Sequence, residues 1–277
     1  MADSPVDEKD ALLAEAAAEI ESGDAVDDAV SGDVLDYLRA YYRHVALEDL
    51  VQAGPRRLAA VATEQARFAA HRPQGRALVK VRRGEAAACA PARDVVDIVT
   101  DDMPFLVDSV RMELGRHGAA TLMVVHPQLR VRRDVTGSLR EVLGLIDGEQ
   151  PAHDEIAESW THIEIARLGP GEDAELQRDL ERVLGDVRVA VEDWPRMQAK
   201  AVQLADQLAM VPDVRITDGA DASGVESPAE VEALLRWLAD GHFTFLGYRE
   251  YDLEDGPDGM ALRAVAGTGL GILRHDR

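Results

Sequence analysis

Asp101, Asp102, Asp108 and Ser109 surround Pro104 in the run DDMPFLVDS (101–109), where residue types and spacing come nearest to chemistry. The β-branched run Asp94–Thr100 before it reads as a strand, and Leu106, Val107, Val110 and Leu114 after it form one face of a helix. A strand turning through Asp101-Asp102-Met103-Pro104 into a helix aims free backbone N–H groups at the turn. That suits a carboxylate or a phosphate. Asp101, Asp102, Met103, Pro104, Phe105, Asp108 and Ser109 are therefore the candidate binding residues. The simpler reading is an ordinary turn with an Asp N-cap and proline at the helix start.

Other constellations carry less. Gly267-Thr268-Gly269-Leu270-Gly271 has its third glycine one position early for G-x-G-x-x-G, and no phosphate-presenting helix can follow it before Arg277. The eight histidines show no H-x-x-x-H or H-x-E pairing, so no metal site is expected. His162 reads as a solvent-facing or satisfied strand residue. No serine lies in G-x-S-x-G, and Cys89 has no evident base nearby. Asp27-Asp28 lies in a segment unable to hold geometry, and Asp101-Asp102 is better suited to capping. No catalytic residue is assigned.

The elements that must position the turn follow from periodicity and breakers. Residues 1–36 hold eight Asp, four Glu and one Lys, half of the formal net charge of −22, so 1–32 reads as a disordered acidic tail. Val34, Leu35, Leu38, Tyr41, Tyr42 and Val45 recur at helical spacing toward Ala53. Gly54-Pro55 breaks that helix and starts another, giving a helical hairpin over 33–74. Residues 75–170 alternate strands with the 106–116 helix, and His126-Pro127 interrupts two of the strands. Helices over 172–192 and from Trp194-Pro195 make a connector over 171–212, and 213–226 is a linker. Ser227-Pro228-Ala229-Glu230 is a capping box for a helix closing at Asp240-Gly241. His242–Leu253 follows as a strand. One helix with two or three strands cannot close a core, so 227–277 reads as an incomplete second domain.

Composition limits the function classes. The acidic balance repels phosphate backbones, so no nucleic-acid partner is expected. The basic run Arg56–Arg83 has Phe68 as its only aromatic and reads as a charged helix face beside acidic neighbours. No apolar run approaches the ~18 residues of a membrane span, and no secretion signal is apparent. One cysteine excludes an intrachain disulfide. The expectation is a cytoplasmic protein without a membrane partner.

Asp101–Gly118 (DDMPFLVDSVRMELGRHG) and Leu234–Leu253 (LLRWLADGHFTFLGYREYDL) resemble the N-terminal region of the large bacterial NAD-dependent glutamate dehydrogenases. Trp160–Glu164, Val191–Trp194 and Gly267–Arg274 support the resemblance, which runs over most of 33–277. It implies a parent enzyme, with NAD as its cofactor, that oxidises L-glutamate to 2-oxoglutarate and ammonia in amino-acid catabolism. Its catalytic part would lie C-terminal to this segment, which binds no cofactor itself. The implied fold class is α+β: a helical hairpin, an ACT-like (ferredoxin-like variant) domain over 75–170, the helical connector, and a truncated second ACT-like domain. The implied role is allosteric regulation and homo-oligomer contact, with an amino-acid effector at the 101–109 turn and the catalytic part as partner. A structural scaffold without a small ligand is the alternative. ACT domains commonly carry glycine after the proline of this turn, and here Phe105 stands there. The elements read βαβββα rather than βαββαβ.

Overall fold

A computed structural model describes residues 5–22, 33–84, 92–146, 152–210, 227–256 and 259–274. Two compact units divide the chain, Met1–Leu184 and Gly185–Arg277. Cys89 and the 213–226 linker lie outside the described residues.

The first unit opens with four helices: α1 (Pro5–Ser22), α2 (Val34–Tyr41), α3 (Leu47–Ala53) and α4 (Pro55–Ala69). The disordered-tail reading is wrong for 5–22, because Leu13, Ala16 and Ala17 are buried in the core against the other helices. Those small apolar residues are too few to predict a helix alone, and tertiary packing supplies the rest. The expected hairpin is also divided. The chain leaves helical geometry after Tyr41, and the Lys9 ammonium donates to the carbonyls of Tyr42, Arg43 and Val45 at 2.9–3.0 Å. A cation at a helix C-terminus is favoured by the backbone dipoles. Tyr37 and Tyr42 donate their hydroxyls to the carbonyls of Ala62 and Leu58, fixing α2 against α4.

Six strands follow: β1 (Leu78–Arg83), β2 (Arg93–Asp101), β3 (Thr121–Val125), β4 (Gln128–Arg133), β5 (Leu139–Leu145) and β6 (Ile156–Ala166). Helix α5 (Leu106–Arg116) lies between β2 and β3, and α6 (Glu172–Ala209) follows β6. The sheet order is β1-β2-β6-β4-β5, with β3 also on β6. Since β2 and β3 both run antiparallel to β6 between them, β2-α5-β3 is a split β-α-β unit. The element order is ββαββββα, not βαβββα. Pro127 has no N–H to give a ladder, so β3 and β4 are separate strands along one edge of β6. The architecture is mixed α and β around an antiparallel sheet, consistent with an ACT-like domain.

Strand alternation gives the sheet two chemistries. Val99, Val125, Leu129, Val131 and Trp160 join the core of α1–α4. The intervening Val96, Ile98, Ile163 and Ile165 are buried on the opposite face, as are Leu106, Val110 and Leu114 of α5 and Leu176 and Leu180 of α6. At the β4–β5 turn, a Cβ on Gly137 would lie 2.4 Å from the carbonyl oxygen of Arg72. Only glycine lets that turn dock on the end of α4.

The second unit contains the rest of α6, α7 (Pro228–Trp237), a π-turn at Leu238–His242, and β7 (Gly247–Tyr248), β8 (Tyr251–Gly256), β9 (Gly259–Ala264) and β10 (Leu270–Gly271). The expected break at Trp194-Pro195 does not occur. Proline costs about 3 kcal/mol inside a helix, and burial of Met197, Ala201 and Ala205 beyond it keeps α6 continuous. Ser227 and Glu230 form the expected capping box. The expected His242–Leu253 strand is divided, because β7 pairs with β10 whereas β8 pairs with β9. Between them side chains replace the ladder: Glu250 N–H donates to Thr268 Oγ1, and Arg249 donates to the Leu273 carbonyl. Among the described residues no helix is long and apolar enough to cross a membrane.

Candidate functional site

The turn between β2 and α5 differs from its predicted cap. Asp101 is the last residue of β2, Pro104 lies in the turn, and Phe105 is the N-cap with no side-chain cap hydrogen bond. Phe105 has φ 71°, making it the sole non-glycine residue with positive φ among those described. The residue standing where ACT domains commonly have glycine thus adopts a glycine-type backbone. This conformation costs a bulky residue roughly 1–2 kcal/mol. Such strain persists where the surroundings over-determine it, as at ligand-binding turns.

The seven predicted residues part company. Asp102 anchors the turn, its N–H donating to the Ala157 carbonyl (2.8 Å) and its carboxylate accepting from Gln128 Nε2 (3.1 Å). Met103 is half-buried, and Phe105 and Asp108 are exposed beside the uncapped start of α5. Ser109 is half-buried, its N–H closing the first helical turn on the Phe105 carbonyl. Asp101 belongs elsewhere. Its carboxylate accepts from Arg72 Nη2 (2.6 Å) at the edge of a buried charged cluster.

That cluster went unpredicted. Arg72, fully buried, also donates to Glu158 Oε1. Arg133 donates to both oxygens of Glu158, and Trp160 Nε1 to Oε2 at 2.8 Å. Two guanidinium groups and two carboxylates balance their charges in a site shielded from water, where an unpaired charge would be prohibitive. Further along β2 and β6, Asp97 faces His162 in register, with Oδ1 2.7 Å from Nδ1. Glu164 accepts from Arg57 (2.5 Å) and Arg93 (2.6 Å), and Asp97 from Arg82 (3.0 Å). Burial alone would raise the Glu164 pKa, but His162 and the two arginines hold it down at about 2. Burial would lower that of His162, and Asp97 and Glu164 raise it instead. Of the two readings of His162, the solvent-facing one is wrong: the ring is buried, with Nδ1 paired to Asp97 and Nε2 4.0 Å from Glu164 without a hydrogen bond. The basic run Arg56–Arg83 supplies Arg57, Arg72 and Arg82 to this layer. The legible signal was the polar run on one face of β6: Glu158, His162 and Glu164 at alternate positions, with Trp160 between the first two.

On the opposite side of the domain, Glu113 and His117 of α5 meet Asp179 of α6. No metal site was expected, since Glu113 and His117 match neither H-x-x-x-H nor H-x-E and Asp179 lies far along the chain. Glu113 four residues before His117 on one helix face was the available signal. In the second unit the Gly267–Gly271 run is a packing device. A Cβ on Gly269 or Gly271 would meet the carbonyl oxygen of Leu273 or Leu246 at 2.1–2.2 Å. Asp193, buried on α6, accepts from the Gly271 N–H (2.8 Å) and Arg274 Nε (3.0 Å).

Residues 37–180 match the family described as glutamate dehydrogenase, ACT1 domain. The NAD-specific glutamate dehydrogenase of Pseudomonas aeruginosa is 39% identical over 180 residues, covering 65% of this chain and 10% of that protein. The enzyme of the same name from Halomonas elongata is 33% identical over 183 residues, covering 66% and 11%. That from Mycobacterium tuberculosis is 31% identical over 213 residues, covering 75% and 12%. The chain thus spans about a tenth of the length of these relatives.

Proposed function

The chain belongs to the glutamate dehydrogenase ACT1-domain family, and on that premise we propose that it is the regulatory and oligomerisation segment of a large NAD-dependent glutamate dehydrogenase. The parent reaction converts L-glutamate, NAD and water to 2-oxoglutarate, ammonia and NADH, and hydride transfer takes place in a catalytic part outside these residues. Its partners are that catalytic part and further copies of the same subunit in the cytoplasm.

The observation that carries the regulatory reading is the glycine-type backbone of Phe105 at the uncapped start of α5. Free amides there suit the carboxylate of an amino acid, and the acidic side chains of Asp102 and Asp108 suit its ammonium. Effector binding changes activity only if it differs in strength between two arrangements of the enzyme. Calorimetric titration with the common L-amino acids tests this, and saturable heat from at least one is expected. In the full enzyme, Asp102→Ala with Ser109→Ala should abolish the response to that amino acid with assembly intact. Silence across the panel removes the sensor.

A second reading, a scaffold within the same oligomer that takes no small ligand, is favoured by the internal bonds of Asp101 to Arg72 and Asp102 to Gln128. Altered assembly with an unchanged effector response in the same double variant would support it.

A further inference from the structure

We propose that His162 works as a proton-operated joint, whose protonation loosens helices α2 and α4 from the sheet and whose deprotonation seals them to it. Helix α4 passes over the ring. Its Arg57 reaches Glu164, and its Gln65 amide reaches the carbonyls of Ile98 and Thr161 (3.3 and 3.5 Å), so His162 lies between the two anchor points. The ring is enclosed. Its Nδ1 is engaged with Asp97, but Nε2 has no hydrogen-bond partner among the described residues and stands 4.0 Å from Glu164 Oε1. That oxygen is the one Arg57 holds, at 2.5 Å. Two further buried polar atoms of this layer lack a partner among the described residues. They are Gln65 Oε1 of α4 and the hydroxyl of Tyr41 on α2, which lies near enough to Asp97 and Arg82 to sense their charges. Buried polar atoms are rarely left unpaired. Three at one interface make it the place where the domain opens most readily.

The direction of the effect follows from which element carries each charge. The groups that favour an imidazolium belong to the sheet: Asp97 of β2 and Glu164 of β6. Beside them stand Arg93 of β2, paired with Glu164, and Arg82 of β1, paired with Asp97. On the other side β3 sets the uncharged Val125 opposite His162. The helices bring the contrary influence. Helix α4 adds the Arg57 cation, while its half-exposed Glu64 is engaged with Arg82 at 2.6 Å. Helix α2 adds the Tyr41 and Tyr42 phenols, which burial keeps neutral. A proton from solvent on Nε2 creates a donor that competes with Arg57 for Glu164 Oε1 and sets another cation beside it. Burial acts against the charge on His162, and Asp97 and Glu164 act for it. Lifting α2 and α4 removes Arg57 and hydrates the ring but leaves both carboxylates in place. Full unfolding takes the carboxylates away as well, so the same proton opposes unfolding and favours opening of the joint. The sheet keeps a separate core on its other face, with α5 and α6, and holds together while the helices lift.

Hydrogen exchange of the whole chain, with rates corrected for the intrinsic effect of pH, is the test. From about pH 9 to about pH 6, protection of α2 and α4 should fall about tenfold, the effect of a His162 pKa one unit higher in the opened joint. Protection of β2 and β6 should hold. His162→Gln, which cannot take up the proton, should abolish the fall. Arg57→Met alters a half-exposed side chain, and it should lower α4 protection at the alkaline end and shrink the fall, since the proton then has no cation to displace. Imidazole NMR of the native chain gives a reading that needs no substitution: the His162 ring must titrate within the same range. A ring that keeps one protonation state throughout overturns the joint. So does protection of α2 and α4 that stays level or rises in acid, or an undiminished fall in either variant.

Discussion

The sheet of the first unit and the β8–β9 hairpin of the second use the same ion pairs to different ends. In the sheet, Arg72 and Glu158 are fully enclosed and joined by Arg133, Asp101 and Trp160. In the hairpin, Arg263 and Glu254 also meet at 2.9 Å, but both stand in solvent. The hairpin's other face, Tyr251, Leu253, Met260 and Leu262, is exposed as well. Burial, not bond length, separates the two cases. An enclosed pair carries a desolvation penalty that only a complete set of partners offsets, so losing one partner is severe. A solvated pair exchanges one set of hydrogen bonds for another and contributes little.

The sharpest test of that contrast is Arg72→Met. It leaves Glu158 and Asp101 short of a cation and should cost about 3–5 kcal/mol in urea unfolding followed by the fluorescence of buried Trp160. A loss under about 1 kcal/mol would put the enclosed cluster on a par with surface pairs.

Asp193→Ala should come next, costing about 1–3 kcal/mol by leaving the buried Gly271 N–H unpaired. Hydrogen exchange should show lost protection at Gly271 and unchanged protection in β2 and β6. If β2 and β6 also lose protection, the effect is not local to the second unit.

The His162 centre responds to pH with a definite sign. Its folded pKa lies above the ordinary 6.5, so the stability it confers is complete below that pH and is lost as pH rises through the folded value. Asp97 and Glu164 are held below their ordinary 3.8 and 4.5, so their contribution is present above those values and is lost as pH falls, through about 2 for Glu164. The melting temperature should therefore fall on raising pH above 6.5, and His162→Gln should flatten that decline. An equally steep decline in the variant assigns it to other groups.

The smallest effect is expected in the hairpin. A double-mutant cycle of Arg263→Ala and Glu254→Ala should return a coupling within about 0.5 kcal/mol. A coupling of several kcal/mol would mean that the hairpin is covered in solution.

Much of the fold was legible from local pattern. The β-branched run at 94–100, the Pro127 interruption and the Ser227 capping box act over a few residues and leave their mark in a few residues. The turn at 101–109 was found, but its cap was misassigned. Asp and Pro at a strand end look like an N-cap, whereas β2 continues through Asp101 and moves the N-cap to Phe105, with the helix starting at Leu106. The charged layer was invisible for a different reason. Arg72 and Glu158 are 86 residues apart, and nothing near either names the other.

Adjacent residues alone marked the strands of the first unit, the Pro127 interruption and the family, because alternation, missing N–H groups and extended residue runs are properties of neighbouring positions. Tertiary structure decided the rest. It made α1 a helix by burying Leu13 and placing Lys9 on three carbonyls, held Phe105 in a left-handed turn, and brought His117 to Asp179. Each of these outcomes depends on sheet register and helix packing, which set distances that no local spacing encodes.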